Sequence, residues 1–319
     1  MTRHLAIVGP TATGKTALAL DIASTLGATE IVSLDAMQVY REMDIGTAKP
    51  SRDQLEAVPH HLIDVADPSQ EWSVRATQQA AAVAIAGIEA RGRRAVLVGG
   101  TGLYVRAVVD ALEVPPTDAA VRARVEAECA DPGGCAAAHA RLAAADPLAA
   151  SRIEPGNARR IARALEVIEL TGRPFSSFGP GLGEHRPPAL DVRMIGLGCG
   201  AEALARRITR RFGAMRAAGL VDEVRALAAR PEGLSRTARQ AIGYKEVLAA
   251  LAGGGGERAL DDALERAVVR TRQFARRQRV WFRRDPRIEW FDAGEYSRAL
   301  VRSVLARWEP TGPAPVTSG

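Results

Sequence analysis

The stretch Gly9-Pro-Thr-Ala-Thr-Gly-Lys-Thr16 constrains this chain more than any other, because it fits GxxxxGK[ST] in the setting where that pattern has a physical meaning. Before it, Leu5-Ala-Ile-Val8 is a short apolar run of the buried-strand type. After it, Leu18, Ile22 and Leu26 recur at helical spacing over residues 16–26. Strand, loop and helix in that order make a phosphate cradle. Gly9 and Gly14 let the backbone through Pro10, Thr11, Ala12 and Thr13 curl until successive N–H groups face one anionic centre. The following helix adds its positive N-terminus. Lys15 supplies a point charge, and the Thr16 hydroxyl is a candidate Mg²⁺ ligand. The motif implies a di- or triphosphate site and leaves open what is done with the phosphate.

The surrounding pattern extends this unit into a sheet. Ile31-Val-Ser33 and Ala95-Val-Leu-Val98 read as further strands, with an Ala-rich helix at 73–91 between them and another helix from Thr101. The alternation predicts an α/β fold: a P-loop NTPase-like parallel sheet flanked by helices. Residues 115–180 carry no strand pattern. They show helical stretches at 118–129, 135–150 and 156–171, between breaks such as Val114-Pro-Pro116 and Asp131-Pro-Gly-Gly134. An all-helical insertion domain over 115–185 is expected, leaving 1–114 and 186–310 as the core and 311–319 as a disordered tail. Val192-Arg-Met-Ile-Gly-Leu197 and Ile288-Glu-Trp-Phe291 return to the strand pattern. Residues 201–230 and 257–284 read as helical, separated by Gly253–Gly256 as a flexible linker.

Composition narrows the setting. Of 319 residues, 47% are hydrophobic and 25% charged, enough apolar material for a core and against a disordered chain. The apolar runs are too short to span a membrane, and the N-terminus leaves no room for a signal peptide. Cys129, Cys135 and Cys199 lack metal-type spacing and suit reduced thiols in a cytoplasm. A cytoplasmic monomer without membrane attachment is the expectation. Lys+Arg outnumber Asp+Glu by 43 to 37, a net charge of +6. The excess is local: residues 270–287 hold Arg270, Arg272, Arg276, Arg277, Arg279, Arg283, Arg284 and Arg287 against a single acid, Asp285. Such a block suggests a polyanionic partner, with a solvated helix face as the plainer reading.

The third strand ends in Gly99-Gly100-Thr101 and lacks the acid that holds Mg²⁺ in most kinases and NTPases. The nearest strand-end acid is Asp35. Strand carboxyl ends face the ligand crevice in α/β sheets, so Asp35 and Thr101 should both point toward the phosphates. Asp35 suits a metal ligand, a general base or a helix N-cap. Two functional classes fit these residues as they stand: a small-molecule or nucleoside kinase, and a nucleotide-gated RNA-binding protein.

Further blocks carry a family likeness. Beside the phosphate loop stand Ser33-Leu-Asp-Ala-Met-Gln-Val-Tyr-Arg-Glu-Met-Asp-Ile-Gly-Thr-Ala-Lys-Pro50, His60-His-Leu-Ile-Asp64, Val98-Gly-Gly-Thr-Gly-Leu-Tyr104, Asn157-Ala-Arg-Arg-Ile-Ala-Arg-Ala-Leu-Glu166, Arg239-Gln-Ala-Ile-Gly-Tyr-Lys-Glu246 and Thr271-Arg-Gln-Phe-Ala-Arg-Arg-Gln-Arg-Val-Trp-Phe-Arg283. In this order, over about residues 5–290, the chain resembles the bacterial tRNA dimethylallyltransferases, also called tRNA isopentenyltransferases. The resemblance implies transfer of a dimethylallyl group from dimethylallyl diphosphate to the exocyclic amine of the adenosine 3′ of the anticodon. Residues 9–16 would then cradle the diphosphate leaving group with Mg²⁺, and Lys15 would stabilise its charge. An adenine amine is a weak nucleophile, and Asp35 matches the family's proposed base. Thr101 matches a residue near the reacting centre. The adenine must leave its stack, and the Gln38 amide is expected to read its edge beside Ala36 and Met37. One departure is Ala36, where many members carry Ser after the Asp.

The same resemblance implies where tRNA is gripped. Arg159, Arg160 and Arg163, with Ile161 and Ala162 between them, place three cations on one side of a helix. Arg239, Gln240, Ala241, Ile242, Gly243, Tyr244 and Lys245 mix donors with an aromatic ring able to stack on a base. Arg272, Arg276, Arg277 and Arg279 would meet phosphates, and Arg122 is a further contact at the start of the insertion.

Overall fold

A computed structural model describes residues 3–178, 184–294 and 296–308. The chain divides into two compact units, Met1–Asp110 with Pro187–Gly319, and Ala111–Arg186. The first unit opens with β1 (His4–Val8), α1 (Lys15–Leu26), β2 (Thr29–Ser33), α2 (Arg52–Ala57), β3 (His60–His61), α3 (Val74–Ala90), β4 (Arg94–Gly99) and α4 (Gly102–Val109). The second holds α5 (Ala119–Glu128), α6 (Gly134–Ala145), α7 (Pro147–Arg152) and α8 (Ala158–Thr171). The first unit resumes with β5 (Val192–Gly198), α9 (Ala201–Ala217), α10 (Leu220–Ala228), α11 (Tyr244–Ala252), α12 (Glu257–Arg283), β6 (Ile288–Asp292) and α13 (Arg298–Trp308).

The six strands form one parallel sheet in the order β3-β2-β4-β1-β5-β6. Successive strand side chains point to opposite faces, so both faces must be covered. Leu5 and Ile7 pack with Leu18 and Ile22 of α1 and with Val304 and Trp308 of α13. Ala6 and Val8 pack on the other face with Ile88 of α3, Val105 of α4 and Phe282 of α12. A third apolar cluster joins α9, α10, α11 and α12 to Val39, Tyr40 and Met43, and so anchors the chain that leaves β2. The inserted unit has its own core, including Leu142, Ala150, Ile161 and Ala162.

Several elements depart from the sequence expectation. The stretch 135–150 divides at Asp146, whose carboxylate accepts from the Ala149 N–H at 3.0 Å and caps α7 ahead of Pro147. The stretch 201–230 divides at Gly219, which sits at φ +97. Gly253–Gly256 is a bonded turn: the N–H groups of Gly254 and Gly255 donate to Leu251 and Ala250 at 3.2 and 2.9 Å. The short strand β3 and helices α2, α11 and α13 have no counterpart in the sequence expectation. The expected tail at 311–319 lies outside the described residues. No helix among the described residues is long and apolar enough to cross a membrane.

Candidate functional site

The carboxyl ends of β1, β2 and β4 lie side by side in the sheet, so their loops converge. After β1 the phosphate loop turns through three left-handed positions, Gly9 (φ +135), Ala12 (φ +63) and Gly14 (φ +91). A Cβ on Gly9 would lie 2.4 Å from the carbonyl oxygen of Leu197, so only glycine lets β1 turn this close to β5. The Thr13 hydroxyl and the Lys15 ammonium donate to the Pro10 carbonyl at 2.9 and 2.7 Å. The N–H groups of Ala12, Thr13 and Gly14 have no acceptor among the described residues. With the first turn of α1 behind them, these donors form the curled, electropositive nest that binds anions.

Two residues from distant helices complete the loop, and neither stood out in the sequence. Arg211 of α9 donates to the Thr11 hydroxyl at 3.0 Å. Gln278 of α12 accepts from the Thr11 N–H at 2.9 Å and donates to the Gly100 carbonyl at 2.8 Å. It thereby ties the loop after β1 to the loop after β4. Glycine is needed here too: a Cβ on Gly102 would lie 2.0 Å from the Trp281 ring. A signal for Gln278 existed, since a polar residue stands in the buried stripe Thr271, Ala275, Gln278, Phe282. Arg211 gives no such signal among so many arginines.

Lys15 and Arg211 place two cations on one spot. The Lys15 ammonium is brought down to about 8, chiefly by burial, with the Asp35 carboxylate opposing the shift and Arg211 adding to it. Burial likewise lowers Arg211, again opposed by Asp35. Cations short of water are poised for an anion.

Asp35 follows β2. One carboxylate oxygen accepts from the N–H groups of Met37 and Gln38 at 2.8 and 3.3 Å, an Asx turn that fixes its rotamer. The other oxygen has no hydrogen-bond partner among the described residues. Gln38 is engaged within the protein: its Nε2 donates to the carbonyls of Thr47 and Ala48 at 3.4 and 3.2 Å, and its Oε1 accepts from Ser33 Oγ at 2.9 Å. The expected base-reading amide therefore has only a lone pair of Oε1 to offer. Thr101 caps α4 without using its side chain, so its hydroxyl is not engaged by the helix. A cavity of about 280 Å³ is bounded by Thr11, Lys15, Asp35, Gln38, Val98 and Arg211. Thr101 adjoins Gly99 and Gly100, which also line it. The described residues contain no cluster of His, Cys, Asp or Glu able to hold a metal. Of the loop hydroxyls, Thr13 is bonded to the Pro10 carbonyl and Thr11 to Arg211, while Thr16 Oγ1 has no partner among the described residues.

The residues expected to grip tRNA divide sharply by environment. Arg159 and Arg160 are exposed, but Ile161 and Ala162 are sealed in the core of the inserted unit. Arg163 turns inward, donating to the carbonyls of Pro115 and Pro116 at 3.0 and 2.8 Å and to Glu166 at 2.7 Å. Arg122 also pairs with Glu166, at 2.9 Å. Both arginines are held by Glu166, which is fully buried in the inserted unit. Tyr244 and Ala241 are corrections. Tyr244 is fully buried in α11, so its ring does not stack on a base, and Ala241 is buried beside it. Gly243 is buried as well and Ile242 half-buried, while Arg239, Gln240 and Lys245 are exposed. On α12, Arg272, Arg276 and Arg277 are exposed and Arg279 half-buried. Arg270 and Arg287 have protein partners, Glu246 at 2.7 Å and Asp110 at 2.6 Å.

Comparison with known proteins matches this arrangement to one family. A family model described as IPP transferase matches residues 38–285, beginning beyond the phosphate loop. A tRNA dimethylallyltransferase of Mycobacterium avium is 48% identical over 307 residues, covering 95% of this chain and 99% of the relative. One of Streptomyces coelicolor is 50% identical over 305 residues, covering 95% of each. The crystal structure of a tRNA isopentenylpyrophosphate transferase from Bacillus halodurans superposes with a TM-score of 0.68 at 39% identity, over 95% of this chain and 94% of that one. A eukaryotic dimethylallyltransferase acting on tRNA gives a TM-score of 0.77 at 25% identity, over 96% of this chain and 78% of that one. Matched by the family model over residues 38–285 and by these relatives over nearly its full length, the chain belongs to the IPP transferase family, that of the tRNA dimethylallyltransferases.

Proposed function

We propose that the chain transfers a dimethylallyl group from dimethylallyl diphosphate to the exocyclic N6 of the adenosine 3′-adjacent to the anticodon in tRNA, releasing diphosphate. The observation that carries this reading is one cavity holding both Asp35 and the cation pair Lys15 and Arg211. The allylic C–O bond breaks as the N6–C bond forms. The departing diphosphate is received by the loop N–H groups, Lys15 and Arg211. The free oxygen of Asp35 takes the N6 proton during attack. Thr101 offers a hydroxyl to phosphate or amine, and Gln38 an acceptor to the base. Thr16 Oγ1 is a hard oxygen donor suited to Mg²⁺, which when bound would neutralise diphosphate charge. Arg159, Arg160, Arg239, Gln240, Lys245, Arg272, Arg276 and Arg277, all exposed, and the half-buried Arg279 supply polar contacts for tRNA in the cytoplasm.

A kinase shares the loop and the sheet but does not account for the exposed arginines, and a non-catalytic RNA-binding protein accounts for the arginines but leaves Asp35 in the cavity without a purpose. The test is incubation with unmodified tRNA, Mg²⁺ and radiolabelled dimethylallyl diphosphate. Label is expected in the tRNA. ATP consumption with a small acceptor and no labelled tRNA would overturn the reading. Asp35→Ala is expected to spare tRNA binding and to lower kcat by about 10²-fold or more, the usual contribution of a general base. Unchanged turnover would remove Asp35 from that role.

A further inference from the structure

The segment between β2 and α2 carries Asp35 and Gln38 on one limb and Thr47, Ala48 and Pro50 on the other, all lining the cavity. It contains two left-handed non-glycine residues, Glu42 at φ +63 and Ala48 at φ +50, a conformation that persists only where the surroundings enforce it. The enforcement comes from outside the segment. The carboxylate of Glu223, on α10, accepts from the N–H groups of Asp44, Ile45 and Gly46 at 3.0, 2.8 and 3.2 Å. The buried Tyr244 hydroxyl donates to the same carboxylate. Burial and that carboxylate hold the phenol far above its usual range, so it remains a donor. Gly46 must be glycine, because a Cβ there would lie 2.3 Å from the Tyr244 ring. Lys49 secures the other end, donating to the Tyr40 carbonyl at 2.6 Å and to Asp44 and Asp64.

The two carbonyls that follow the clamped N–H groups, those of Thr47 and Ala48, are the acceptors that orient the Gln38 amide. Two acceptors on one side fix which end of the amide is nitrogen, and so turn Oε1 toward Ser33. We infer that Glu223 and Tyr244 are positioning residues for transfer: acting through the backbone of 44–48, they fix the Gln38 amide beside Asp35. Tyr244 thereby has a task in the reaction although it meets no RNA. The inference rests on the proposed function for its readout.

Glu223→Gln keeps the size of the side chain and removes the charge that gathers three N–H groups. It is expected to lower kcat about tenfold while the KM for dimethylallyl diphosphate stays within about twofold, since the phosphate loop is not part of the network. Tyr244→Phe, which removes one hydroxyl, should lower kcat about threefold in the same pattern and serves as the test if Glu223→Gln does not fold. In a Gln38→Ala background, Glu223→Gln should cost less than about twofold more, because the group it positions is gone. A Glu223→Gln enzyme with full kcat would overturn the inference. So would a loss of the same size with or without Gln38, or a Gln38→Ala enzyme with unimpaired kcat. Absence of transfer by the wild-type chain would overturn the proposed function itself.

Discussion

Lys15 shows how much one residue's setting can add to a motif. The pattern GxxxxGK[ST] predicts a cation but not its proton affinity, which depends on burial and on Arg211 and Asp35 from elsewhere in the chain. The folded protein releases this proton above about pH 8, whereas the unfolded chain holds it to about 10.5. Between those values the unfolded chain binds the extra proton, so the ligand-free protein gains stability as pH rises through the window. A bound diphosphate favours the charged form and reverses this. Binding of dimethylallyl diphosphate should therefore take up a proton above about pH 8 and weaken as pH rises further. Calorimetry in two buffers of different ionisation enthalpy reads the uptake directly, and zero uptake in that window would refute it. The loop and Asp35 were legible in the sequence because their chemistry is local: glycines, one lysine, and an acid at a strand end. Arg211 and Gln278 were not, since only the packing of α9 and α12 brings them to Thr11.

Among the elements, α12 carries most of the basic excess and divides it by face. Its buried stripe runs Leu260, Leu264, Ala267, Thr271, Ala275, Gln278, Phe282. Arg272, Arg276, Arg279 and Arg283 follow at spacings that return to a common side. Arg283 lies over the Trp290 ring at 4.5 Å, and Arg272 reaches Thr209 at 2.8 Å. Arg276 has no partner among the described residues. Arg276→Ala should weaken tRNA binding and reduce the slope of log affinity against log salt by about 0.7–0.9. A filter-binding series over several salt concentrations measures it, and an unchanged slope would take Arg276 out of the phosphate contacts. In the block at 239–245, a tyrosine amid Arg, Gln and Lys has the composition of a binding surface, yet Tyr244 is buried. The helical period Tyr244, Val247, Ala250 places it in the core instead.

At the scale of the whole molecule, two compact units each have a core of their own. The strand–helix alternation and its interruption were visible in the sequence because they follow hydrophobic period and proline breaks. Less visible was what holds the inserted unit together. The buried Glu166 accepts from the Asp118 N–H, Arg122 and Arg163, and so joins α5, α8 and the segment between the units' boundary and α5. Glu166→Ala is expected to destabilise this unit by about 3 kcal/mol, as breaking a buried ion pair does. Hydrogen exchange should show lost protection within 111–186 and not in the sheet. Uniform loss across both units would refute a local role.

Gln278 also sets an address. Its amide meets one donor and one acceptor on two different loops, and no neighbour on α12 could take its place. Advancing the helix by a turn would bring Phe274 or Ala275 to that spot, and retreating it would bring Trp281 or Phe282. None of these carries an amide. The helix therefore has a single seat, and the arginine row along it stands at a fixed reach from the phosphate loop, like graduations on a rule whose zero mark is Thr11.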